Sequence, residues 1–162
     1  MTDEMPQSGL PIPDDDHVLR YIAPRHVENG IVNGAGFLRR PGEDASSVNW
    51  LEYFDPPVEN QVQGVREVAR LRYAKTGQLA RLNIGATRNY VRENSPEGLE
   101  LSFVHDPLMA EGDFPADPSH ALIQGVPTAE SVEAELIKDL IADCIVQPLY
   151  PAVPQQEPDP AK

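Results

Sequence analysis

Seventeen prolines are spread through this 162-residue chain, and their positions limit where regular structure can run. A proline lacks the amide that helices and sheets use and restricts the residue before it. Five of the seventeen lie in the last fifteen residues, so residues 150–162 read as a flexible, polyproline-like tail. At the other end, residues 1–16 combine Pro6, Pro11 and Pro13 with the acidic run Asp14, Asp15, Asp16. Such a segment buries too little apolar surface to offset its ordering entropy, which predicts a flexible N-terminal segment. Residues 17–149 remain for a single domain with one core.

Inside those limits the pattern is mixed. Residues 17–22 form a β-rich run that ends at Ala23-Pro24, and Glu28-Asn29-Gly30 signals a hairpin turn. Residues 47–54 hold the densest aromatic window, with Trp50 and Phe54 as expected core anchors before Pro56-Pro57 interrupts it. Val58, Val62, Val65 and Ala69 recur at helical spacing and predict a helix over 58–75. Residues 79–84 return to strand alternation, residues 87–92 are expected to pair with them, and residues 99–103 alternate most cleanly. Residues 120–123 make a further short β-like segment. From Thr128 a second helix is expected to carry Val132, Leu136, Leu140, Cys144 and Ile145 on one face until Pro148 stops it. The expected fold is α+β: a small mixed or mainly antiparallel sheet packed by two principal helices.

Thirteen Lys and Arg against twenty-six Asp and Glu give a formal net charge of -13. Residues 93–162 hold fourteen acids and two bases, whereas residues 66–92 hold seven bases and the single acid Glu67. The overall field disfavours an electrostatic grip on nucleic acid or an anionic membrane. The basic middle, Arg66 to Arg92, is the one segment on which a nucleic-acid reading rests, and it is also a place for an anion site. No apolar run is long enough to span a bilayer and the N-terminus lacks signal-peptide features, so a cytoplasmic protein is the expectation. Cys144 is the sole cysteine; its place on an apolar helical face points to a buried thiol, and any metal site would use His, Asp and Glu.

Phosphate-cradling glycine motifs, HExxH, GxSxG, CxxC and calcium loops are absent from the sequence. Four histidines remain, His17, His26, His105 and His120, several of them beside carboxylates. A carboxylate can orient one imidazole nitrogen while the other exchanges protons or binds metal. Arg20 shares a strand face with Val18 and Ile22, an unusual place for a charge, and with Arg88 it is a candidate for binding a phosphate or carboxylate. The leading expectation is a small acidic interaction or accessory protein without catalysis or cofactor, whose partner is another protein. The alternative is an enzyme acting on an anionic small molecule or nucleotide, using His17, His105 or His120 and a divalent metal ion where ligation is needed.

Overall fold

The computed structural model describes residues 9–70 and 72–154. Its elements run β1 (His17–Ile22), β2 (Val27–Glu28), β3 (Ile31–Val32), β4 (Ala45–Trp50), α1 (Val58–Val68), β5 (Gln78–Asn83), α2 (Ile84–Asn94), β6 (Ser102–His105), β7 (His120–Gln124), α3 (Ala134–Asp143) and β8 (Ile145–Pro151). Short 3-10 turns occupy Pro24–His26, Gly34–Phe37 and Leu51–Tyr53. Six strands form one antiparallel sheet in the order β6-β7-β4-β1-β5-β8, and β2 pairs with β3 as the expected hairpin. Asn29 and Gly30 both take positive φ, 53° and 77°, as a two-residue hairpin turn requires. No helix among the described residues is long and apolar enough to cross a membrane.

Strand alternation sorts the apolar side chains onto two faces. Val18, Ile22, Val48, Ala80, Leu82, Ala121 and Ile123 meet α2 and α3 on one face. Leu19 and Leu79 meet Val62 and Val65 of α1 on the other, with Tyr21, Phe54 and Tyr150 packed around them. The sheet is therefore the middle of three layers, and the fold is a mixed α+β arrangement around an antiparallel sheet. Gly64 sits in α1 because Phe54 lies against it; a Cβ there would come within 2.5 Å of the ring.

Several elements differ from the sequence expectation. Residues 87–92 are helical, not a strand, which makes three α-helices among the described residues where two were expected. The Asn83 side chain accepts from the Ala86 amide at 2.8 Å, and Ile84, Thr87 and Val91 are buried at steps of three and four. The helix expected over 58–75 ends at Val68, where Tyr73 instead stacks on Tyr21 with ring centroids 4.5 Å apart. The last helix is shorter at both ends. Val132 is 97% exposed and precedes α3, while Ile145 leaves it to pair with Leu82 in β8.

The fold also extends beyond residues 17–149. Ile12 is buried in the main core, the carbonyl of Leu10 accepts from the His105 amide, and Asp14 pairs with Arg88. At the other end, β8 runs through Pro151, and Ala152 is buried against α1. Residues 1–8 and 155–162, the remainder of the two expected flexible segments, lie outside the described residues.

Candidate functional site

The central strands do not stay together along their whole length. β1 pairs with β4 at only two positions, Val18 with Trp50 and Leu19 with Asn49, and then follows β5 through Ile22. β4 meanwhile follows β7 from Asn49 back to Ala45. Arg20 is the first residue past the fork. Its Nε donates to the Gly36 carbonyl at 2.9 Å and its Nη1 to the Ser47 carbonyl at 2.6 Å, so the guanidinium bridges the two diverging strands. The charge on an apolar face is thus held by backbone carbonyls. Burial, followed by the nearby Arg40, pushes the Arg20 pKa down to about 10.

A crevice of about 240 Å³ opens over this fork. Arg20, Arg40, Arg70, Tyr73, Asn49, Asp117, Glu43 and His120 are among its lining. Arg70 follows α1 and is held by the hairpin spanning residues 108–117. It donates to the carbonyls of Met109 and Pro115, lies 3.6 Å from the Glu111 carboxylate and sits 5.9 Å from the centre of the Phe114 ring. Its Nε is buried and has no hydrogen-bond partner among the described residues. Burial first, then Asp117 and Tyr21, pushes the Tyr73 hydroxyl above the usual phenol range, so it stays a hydrogen-bond donor near neutral pH.

The acidic wall is well satisfied. Asp117, 2% exposed, accepts from Asn49 Nδ2 at 2.9 Å and from Ser119 Oγ at 2.8 Å. Beside it, His120 Nδ1 lies 2.9 Å from the Asp106 carbonyl and 3.1 Å from the Asp106 carboxylate. Both partners can only accept, so Nδ1 is the donating nitrogen, and in that tautomer Nε2 holds the lone pair. A carboxylate-oriented imidazole beside three guanidiniums can bind an anion and exchange a proton with it.

The other sequence candidates do not join this site. His105 lies on the opposite sheet face from His120, its ring edge on Trp50 and its Nε2 donating to the Pro118 carbonyl at 2.6 Å. His17 is held by Glu52, 2.6 Å from Nδ1. Arg88, the second candidate anion ligand, is engaged by Asp14 at 2.8 Å on α2. The bases of the 66–92 segment divide between α1, the following loop, β5 and α2, and those two helices cover opposite faces of the sheet. Among the described residues, no three His, Cys, Asp or Glu side chains gather as a metal site. Cys144 is half-buried, donates to the Leu140 carbonyl and has its pKa raised chiefly by burial.

Arg20 and His120 were legible as candidates and Arg70 only as one base of the 66–92 segment, whereas Arg40 and Tyr73 were not. They come together only through the strand fork and the turn that follows α1, and neither leaves a local spacing pattern. No protein-family model, curated protein or solved structure matches the chain, so its function has to be read from this crevice.

Proposed function

We propose that the protein binds a small anionic organic molecule over the β1–β4 fork and that His120 moves a proton on it. The observation that carries this reading is the Asp106–His120 pair opening on a crevice lined by Arg20, Arg40 and Arg70. The guanidiniums would hold and stabilise negative charge, Tyr73 would donate a hydrogen bond, and Nε2 of His120 would act as the base. Asp106 is a positioning residue, because its oxygens fix the tautomer.

Two NMR measurements test the proposal. A long-range ¹⁵N spectrum of the imidazoles should show His120 protonated at Nδ1 and bare at Nε2. Titration with butyrate and inorganic phosphate should shift the amides around Arg20, Asn49 and His120. Replacing Arg70 with Gln should weaken that binding roughly tenfold or more, the scale of one lost charge-assisted hydrogen bond. An Nε2-protonated His120, or crevice amides unmoved by either anion, would refute it.

A second reading, a non-catalytic interaction protein, draws on the 108–117 hairpin, which leaves Met109 63% and Phe114 49% exposed. This reading expects the anions to leave the crevice untouched, and it expects Phe114→Ser to abolish association with a protein partner while stability is retained.

A further inference from the structure

A smaller compartment adjoins the crevice. It has a volume of about 80 Å³ and lies where the Pro24–His26 turn meets the Gly34–Phe37 turn. Arg20, Arg40, Arg25 and His26 line it, and among the described residues its lining contains no Asp or Glu. Arg20, Tyr21 and Arg40 line both cavities, so the two share a wall. Arg20 donates to the neutral carbonyls of Gly36 and Ser47, and Arg25 and Arg40 are exposed. Like charges held this close raise the energy of the empty site and favour entry of an anion.

Taking the anion-binding reading above as its basis, we infer that the ligand carries two acidic groups, one held in the main crevice near Arg70 and His120, the other in the Arg25–His26 compartment. The ligand class is a small dicarboxylate or phosphorylated carboxylate whose two ends straddle Arg20 and Arg40. The charge balance of the cavities supports this division. The main crevice sets Glu43 and Asp117 against its arginines, whereas the charged residues described in the lining of the smaller compartment are the arginines Arg20, Arg25 and Arg40. The compartment has room for one carboxylate or phosphate group and little more. The His26 ring is also affected: its pKa is lowered by burial and then by Arg25 and Arg20, the influence a bound anion would reverse.

Calorimetric titration of the full chain with butyrate and with unbranched dicarboxylates of four to eight carbons tests this inference. One length in the dicarboxylate series should bind about tenfold or more tightly than butyrate, because its second group adds a charge-assisted contact. Arg25→Gln should remove that advantage and leave butyrate binding unchanged, while Arg70→Gln should weaken both ligands. Lys75→Gln, a charge change outside both cavities, should leave both affinities unchanged. If butyrate binds but no dicarboxylate exceeds it, or if Arg25→Gln weakens butyrate as much as the dicarboxylate, the second compartment is refuted and the single-anion reading stands. If neither ligand binds, both fail.

Discussion

His26 shows at the scale of one residue how the fork is charged. Burial, Arg25 and Arg20 lower its pKa below the ordinary 6.5, so the folded protein binds that proton less readily than the unfolded chain. The neutral ring therefore contributes stability that is present above pH 6.5 and is lost as pH falls through the lower folded-state pKa. Denaturant unfolding between pH 7 and pH 5 should show a shallower loss for His26→Gln than for the parent, and equal slopes would exclude the effect. Arg20 is a different case because its hydrogen bonds are to backbone. Arg20→Leu keeps an apolar body between Val18 and Ile22 but leaves the Gly36 and Ser47 carbonyls without this donor. The expected loss is about 2 kcal/mol by urea unfolding, with the denaturant slope unchanged. Arg20→Lys should recover only part of that loss, since a single ammonium cannot span the fork as a planar guanidinium does.

Among the elements, α3 is fixed most tightly by the Gly34–Phe37 turn. A Cβ on Gly34 would fall 1.9 Å from the Lys138 carbonyl oxygen, which is backbone and cannot swing aside. Gly34→Ala should force the turn off the helix and cost about 2 kcal/mol or more, seen as a lowered denaturation midpoint. Leu140→Asp should cost about 3 kcal/mol or more, because Leu140 is 7% exposed within the main core and a carboxylate there would have no partner. The apolar spacing of α3 was readable, as was the burial of Leu101 and Phe103, because one buried face imposes a period on the sequence, but the strand expected over 99–103 begins only at Ser102 and runs to His105. The ends were not. Ile145 continues the helical stripe up to Pro148, yet pairing with β5 gives the backbone of residues 145–151 a partner that no local pattern announces. In α2, Tyr90 and Val91 resemble strand residues, and only the Asn83 cap and the position of Ile84, Thr87 and Val91 decide for helix. The crevice was the least legible part, since its arginines come from separate segments and meet only where two strands part.

For the whole molecule, the two borders of the sheet are finished differently. β8 carries Pro148 and Pro151, which offer no amide to an incoming strand, and the Pro151 carbonyl is taken by Arg66. β6 has no proline of its own and is covered by residues 9–12: the Gly9 and Ile12 amides donate to His105 and Phe103, and the His105 amide donates to Leu10. This short length of chain occupies the edge where an incoming strand would pair, the position of a tethered guard. A chain shortened by its first twelve residues should expose the outer backbone of Ser102–His105 and recruit a second copy edge to edge. Light scattering should then report a concentration-dependent dimer for the shortened chain alone, and a β6 edge that stays unpaired after that deletion would mean something other than the guard keeps copies apart.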